Sequence, residues 1–306
     1  MNTATEPQRA WWRSGRGRLA AGLGALAVIE AAAALWAARE PIDEGDWAAL
    51  ASAIEARGDD APVLLATAWL GPSARMHVPA IAELDALTLP DLHGVPRFHV
   101  VGLGAAWSDA LEAARQGAAA PRALETTTIG PFSWTRYEGD GARVLTTLTR
   151  DTAGLAARTD AGPCRGRERL RCDEGEIAPR IVEVDYQPRR CLGLSLRDGT
   201  TVTLQWSAAQ LGHRLRGHVG MGDYNARLRN DAPVDVRVRV DGVLVRHATV
   251  SDAQGWWPFE LATTPGRARV ELEVVAGLSG SWSGRNYDGT PHRTVCVELR
   301  ALEDPR

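Results

Sequence analysis

From Leu19 to Ala38 the chain reads LAAGLGALAVIEAAAALWAA, a run whose one charge is Glu30. At about 1.5 Å per residue, a helix of that length spans a hydrocarbon core of roughly 30 Å. Arg9, Arg13, Arg16 and Arg18 precede the run, and Glu40, Asp43, Glu44 and Asp46 follow it. That arginine bias predicts a cytoplasmic tail over 1–18, a single transmembrane anchor over 19–38 and a globular part on the extracytoplasmic side, periplasmic or extracellular. Trp11 and Trp12 on one side and Trp36 on the other suit the two interfaces. A cleaved signal peptide is the competing reading, but a small-x-small site at Ala32 and Ala34 would cut inside the run. Glu30 is read as tolerated by snorkelling or protonation rather than as the mark of a helix partner.

The net charge is -3, and because the tail is basic the remainder is more acidic still. Such a surface gives no electrostatic footprint for DNA or RNA, so no nucleic-acid partner is expected. All 35 basic residues are arginine, which removes lysine chemistry. The four cysteines, Cys164, Cys172, Cys191 and Cys296, all follow the anchor, where an even count predicts two disulfides. Parity chooses between pairings. In CLGLSL, Leu192, Leu194 and Leu196 share one face and Cys191 points away. In RTVCVELRAL, Val295, Val297 and Leu299 share a face and Cys296 points away. Neighbouring antiparallel strands would let those two bridge, leaving Cys164 with Cys172 to close the loop CRGRERLRC. A zinc site is the alternative, but no CxxC pair or histidine cluster supports it. No metal and no cofactor are expected.

Residues 42–158 alternate helix and strand signals. Asp46 is read as the cap of a helix carrying Trp47, Leu50, Ala51 and Ile54 and ending at Gly58. PVLLATAW, RFHVVGL and FSWTRYE read as strands. Helical stretches are expected after Pro79 and from Ser108 to Gln116. The pattern predicts a small, mostly parallel α/β layer. In its opening DW helix, its strand into a WLGP turn and its RFHVVGL strand, this half resembles the extracytoplasmic region of multi-pass glycosyltransferases that use lipid-linked sugars. Those enzymes keep their catalytic acids in loops between many membrane helices, so no catalytic residue carries over. Gly102-Leu103-Gly104 lacks the third glycine of a dinucleotide fingerprint, Trp107 standing there, and reads as a strand-to-helix turn.

A disulfide-closed linker is expected over 159–176, and an antiparallel β-sandwich over 177–306. Nine alternating runs carry that expectation: 181–186, 191–196, 201–206, 213–220, 234–240, 243–250, 256–262, 268–276 and 293–301. Asp198-Gly199 and Asp241-Gly242 are hairpin turn signals. With its VRVRVDGVLV hairpin, GWWPFEL and evenly spaced RVELEVVA, this half resembles the galactose-binding-like jelly rolls found in many carbohydrate-binding modules. The resemblance implies a jelly-roll fold and a glycan ligand. The fold class is therefore α+β and multidomain: a transmembrane helix, a small α/β layer and a jelly-roll sandwich.

No nucleophile elbow occurs, the seven histidines are scattered, and no catalytic constellation is legible, so a non-enzyme is expected. If strands alternate in direction, the long loops 221–233 and 277–292 share one end of the sandwich. They offer Asp223, Tyr224, Asn225, Arg227, Trp282, Arg285, Asn286, Tyr287 and Asp288. Aromatic faces that pack on sugar C–H groups, beside amides, carboxylates and guanidinium groups for hydroxyls, suit a glycan. The blander reading is that such residues simply populate loops. Trp256 and Trp257 open a strand, one expected in the core and its neighbour exposed. The expected function is a membrane-anchored extracytoplasmic binding module for a glycan or other envelope component. The alternative is an assembly subunit that holds an envelope protein.

Overall fold

The structure, a computed structural model, describes residues 15–37, 42–66, 70–78, 81, 91–104, 112, 115, 120–150, 152–173, 175–184, 187–222, 232–278 and 292–305. Helix α1 (Gly15–Ala37) covers the apolar run, and its described side chains, residues 20–31, are exposed. Among the described residues no helix is long and apolar enough to cross a membrane, so the expected anchor is not shown. Helix α2 (Glu44–Ala56) begins three residues earlier than expected, because Asp43 and not Asp46 is its cap. Asp46 N–H donates to Asp43 Oδ1 at 2.8 Å, and Asp43 N–H donates to Asp46 Oδ2 at 3.2 Å. This reciprocal box satisfies two otherwise orphaned donors. Gly58 follows the helix at a φ of 69°, a left-handed stop that costs glycine little.

Strands β1 (Val63–Leu65), β2 (Arg97–Leu103), β3 (Arg122–Ile129) and β4 (Phe132–Glu138) form a sheet in the order β1-β2-β4-β3, with α3 (Gly71–His77) between β1 and β2 in sequence. Only β1 and β2 are parallel; β4 runs antiparallel to both neighbours. The expected parallel layer is thus mostly antiparallel, because β3 and β4 are a hairpin and need no crossover helix. Trp47, Leu50 and Ile54 of α2, with Ala74 of α3, pack on Val101 and Phe132 of the sheet. Phe98, Val100 and Tyr137 form a second cluster with Leu92 and Val95. The helices expected after Pro79 and from Ser108 to Gln116 fall mostly outside the described residues.

The sandwich is built from β5 (Arg143–Thr147), β6 (Leu155–Thr159), β7 (Gly162–Pro163), β8 (Arg165–Gly166), β9 (Leu170–Cys172), β10 (Gly175–Val184), β11 (Gln187–Arg197), β12 (Thr201–Leu211), β13 (Arg214–Gly222), β14 (Val234–Val240), β15 (Val243–Val250), β16 (Trp257–Ala262), β17 (Gly266–Ala276) and β18 (His292–Glu303). One sheet runs β16-β13-β18-β11-β10-β9-β8, with β5 also on β18; the other runs β15-β14-β17-β12-β6-β7. Each of the nine runs read from the sequence lies on a strand over its described residues, to within one residue at the ends. Two boundaries move. Residues 143–158, expected in the α/β layer, join the sandwich because Leu145, Leu155 and Ala157 feed its core. Within 159–176, expected as a linker, the short strands β7, β8 and β9 extend the edges of both sheets.

Period-two alternation puts Leu192, Leu194, Leu215, Val219, Val295 and Val297 of one sheet against Leu204, Trp206, Val236, Val238 and Leu272 of the other. Asp241-Gly242, with φ of 49° and 83°, turns the β14–β15 hairpin as expected. Asp198-Gly199 does not make a hairpin: β11 and β12 lie in different sheets, so the turn carries the chain across the sandwich. Both expected disulfides are present. Cys191–Cys296 joins the neighbouring strands β11 and β18, and Cys164–Cys172 closes the arginine loop. Cys191 and Cys296 point away from the main core, as parity required, into a small cluster with Val184 and Trp256.

Candidate functional site

Two places on the sandwich concentrate polar chemistry. The first is the end where the long loops attach. β13 closes with Gly222 opposite Thr294 of β18, and β14 opens with Val234 opposite Ala276, the last residue of β17. The bases of both loops therefore meet at one end, as strand alternation requires. Arg293, 3% exposed, ties them together. Its Nη1 donates to Ala232 O at 2.5 Å and its Nη2 to Gly277 O at 3.0 Å, and it also pairs with Asp198. Gly277 N–H then donates to Pro233 O at 3.1 Å. Asp223, Tyr224, Asn225, Arg227, Trp282, Arg285, Asn286, Tyr287 and Asp288 all lie outside the described residues. Sequence reasoning passed over Arg293 and gave Asp198 only a role in a turn. The available signal was phase: Arg293 shares the parity of Val295, Val297 and Leu299, so a charge points inward just before the first apolar residue.

The second place is the outer face of the β16-β13-β18-β11 sheet, where the first half of the chain docks. Asp91 sits in a turn held by His93 N–H on its Oδ1 at 3.0 Å, and it enters the sheet face 1% exposed. Arg216 Nε donates to its Oδ2 at 2.5 Å, Arg300 Nη2 to its Oδ1 at 2.5 Å, and His218 Nε2 lies 3.5 Å away. Glu298 Oε2 is 2.9 Å from His218 Nδ1. Glu298 Oε1 faces Arg300 Nε at 2.8 Å, out of line for a hydrogen bond, so charge alone holds that contact. Arg300 Nη1 also donates to His93 O at 2.8 Å, and His93 Nδ1 bonds Asp140 at 3.1 Å. Asp91, Glu298, Arg216, Arg300 and His218 are all 5% exposed or less. No substrate reaches them, and the cluster works as a joint between the two halves rather than as an active site.

Burial opposes the charge of Asp91, but Arg300, His218 and Arg216 outweigh it and hold the carboxyl well below its usual range. Burial pushes His218 down to about 4 and keeps it neutral. An unfolded histidine titrates near 6.5 (about that value in model peptides). As pH falls from about 6.5 to about 4, the unfolded chain binds a proton that the folded chain refuses. Stability is therefore full above 6.5 and drops by up to roughly 3 kcal/mol on the way to pH 4. Asp91 acts lower: its contribution holds above about 4 and is lost only as pH falls towards its depressed value. Urea unfolding between pH 7.5 and 4 should show this decline, and His218→Gln should flatten it by about one proton. Equal slopes in both proteins would rule out His218 as the titrating group.

A smaller relay lies in the first half. Trp134 Nε1–H donates to His99 Nδ1 at 3.1 Å, which leaves Nε2–H to donate to Asp59 at 3.2 Å. Among the described residues no group of three or more His, Cys, Asp or Glu side chains is placed to hold a metal. The expectation for the tryptophan pair needs correcting. Trp256 is 8% exposed and donates through Nε1 to Gln187 O at 2.9 Å, while Trp257 stacks on Phe259 under Arg246. Alternation sends them to opposite faces as read, but both faces are covered there.

No known protein family matches the sequence, and no curated protein matches it either. Solved structures align in part. A family-51 carbohydrate-binding module with INT domains, from Clostridium perfringens ZmpB in complex with GlcNAc, aligns over 61% of this chain at 12% identity and a TM-score of 0.33. This chain spans 38% of that protein's length. A family-51 module from a Clostridium perfringens GH95 protein, in complex with methyl-galactose, aligns over 40% of this chain and 81% of its own at 10% identity and a TM-score of 0.28. A family-29 carbohydrate-binding module aligns over 54% of this chain and 90% of its own at 11% identity and a TM-score of 0.28. Likenesses this low do not establish a shared fold, and the sandwich rests on its own strand pairing. None of the comparisons supports the glycosyltransferase resemblance of the first half.

Proposed function

We propose that this chain is a membrane-tethered extracytoplasmic module that binds a glycan at the loop-bearing end of its sandwich. The observation that carries the reading is the Arg293 clamp. A nearly buried guanidinium joins the bases of both long loops to β18, a strand that is itself disulfide-bonded to its neighbour. Loops held on a rigid scaffold are where binding concentrates. The apolar run over 19–38, flanked by arginines before it and acidic residues after it, is the proposed tether.

Trp282 and Tyr287 are the proposed stacking platform, with Asp223, Asn225 and Asn286 addressing hydroxyls and Tyr224, Arg227, Arg285 and Asp288 completing the rim. The test is binding of the detergent-solubilised full chain to a glycan array. Trp282→Ala and Tyr287→Ala should each lower affinity about tenfold or more, the loss of one aromatic contact of 1–2 kcal/mol, with little change in melting temperature. Unchanged affinity in both would sink the proposal. A second reading, an assembly subunit, is favoured by one feature: Val243, Leu244 and Val245 on the edge strand β15 are 64%, 52% and 40% exposed. Co-purification of a stoichiometric envelope protein, abolished by Leu244→Arg, would favour that reading instead.

A further inference from the structure

The disulfide-closed loop CRGRERLRC forms the ribbon β8–β9 at the edge of the sandwich. Register places Arg165 directly opposite Arg171. Side chains so paired start about 5 Å apart, and like charges there repel. The disulfide holds them in place, since Cys164 precedes Arg165, Cys172 follows Arg171, and both cysteines pack inward against the core. The expected relief is absent. Glu176 lies opposite Arg171 in the register of β9 and β10, yet its carboxylate turns to Arg169 at 3.4 Å and to Arg180 at 3.6 Å. Among the described residues neither Arg165 nor Arg171 has an ion-pair partner. Both arginines line a depression of about 710 Å³, together with Arg169, Asp173 and the backbone of Gly162 and Gly166.

We propose that this depression binds an acidic sugar residue of a polysaccharide, with the Arg165 and Arg171 guanidinium groups sharing its carboxylate or sulfate and Asp173 accepting from a hydroxyl. A pair of guanidinium forks takes a planar or tetrahedral oxyanion bidentately. The volume is that of a small-ligand cleft, room for one or two sugar rings. A carboxylate at its wall suits a ligand that also presents hydroxyl donors, and it disfavours a flat anionic lipid surface. The site lies at the same end of the sandwich as the long loops but on its β8–β9 edge, with β10 and β11 between it and β18, and it uses none of the loop residues proposed above.

The test is binding of the detergent-solubilised full chain to polygalacturonate and to chondroitin sulfate, with neutral galactan and phosphatidylglycerol vesicles as comparison arms. At least one acidic polysaccharide should bind, more weakly as salt rises. Arg165→Ala with Arg171→Ala should lower that affinity tenfold to a hundredfold, as expected for charged hydrogen bonds. Binding to neutral glycans, which reports the long loops attached to β13, β14, β17 and β18, should not change. Because both arginines are exposed and opposed, the double variant should melt no lower than the parent without ligand, and only the parent should gain melting temperature from the polymer. Failure of both acidic polymers to bind, equal affinity in the double variant, or binding to vesicles alone would overturn the proposal.

Discussion

Asp91→Ala is expected to destabilise the protein by about 3–5 kcal/mol, the cost of leaving buried charges without their partner. Asp91 is the carboxylate on which Arg216 and Arg300 converge from β13 and β18. Arg216 keeps Glu260 at 2.9 Å when Asp91 is removed, but Arg300 keeps only the poorly aligned Glu298 and a carbonyl. Arg189, whose pKa burial lowers to about 10, adds a further buried positive group nearby. The loss should fall on the joint first. Limited proteolysis of the variant should release the first half while β10–β18 resist, since their core is made of other residues. Asp91→Leu combined with Arg300→Met should recover much of the stability, because removing both partners leaves no uncompensated charge. Urea unfolding measures all three proteins. A change below 1 kcal/mol for Asp91→Ala would mean that water or Glu298 takes over, and that the joint is not held by this carboxylate.

What was legible depended on alternation. VDVRVRV and VLVRHATV alternate or end cleanly at turns, and their observed bounds are the expected ones. The same parity paired the cysteines. β3 was missed because RALETTTI has no apolar alternation: it is an edge strand with no fully buried residue, stabilised by pairing with β4. The cap of α2 was misplaced because Asp43 and Asp46 stand three apart and each bonds the other's backbone. A turn signal at Asp198-Gly199 marks a reversal but says nothing about which sheet the next strand joins. The buried joint was illegible for a related reason. Arg216, His218, Glu298 and Arg300 occupy the polar phase of their strands, which ordinarily means solvent. The clue was company: Cys191 and Cys296 share that face, and Gly220 and Gly222 stand there where a side chain would strike Trp256 and Val182. Glycine on an outward phase signals something lying over the sheet.

Replacing Cys191 and Cys296 by alanine should cost about 5 kcal/mol, and replacing Cys164 and Cys172 only about 2.5 kcal/mol. The difference follows from loop length in the chain-entropy account, in which a cross-link stabilises by restricting the unfolded chain. The first bridge closes a separation of 105 residues and the second a separation of 8. The folded state modifies both values slightly. Cys191 and Cys296 are 2% and 0% exposed, so alanine also opens space beside Val184 and Trp256, whereas Cys164 and Cys172 are only partly buried. Strand β18 makes the long bridge matter more, because it pairs with β13, β11 and β5 and so gathers segments from the whole sandwich. Losing the staple should therefore lower the unfolding midpoint of the entire sandwich, while losing the short bridge should loosen β8–β9 and leave the rest cooperative. The two double variants, compared by urea unfolding under non-reducing conditions, give the answer. Equal costs, or a larger cost for the eight-residue loop, would show that native-state packing rather than the unfolded chain sets the contribution of these bridges.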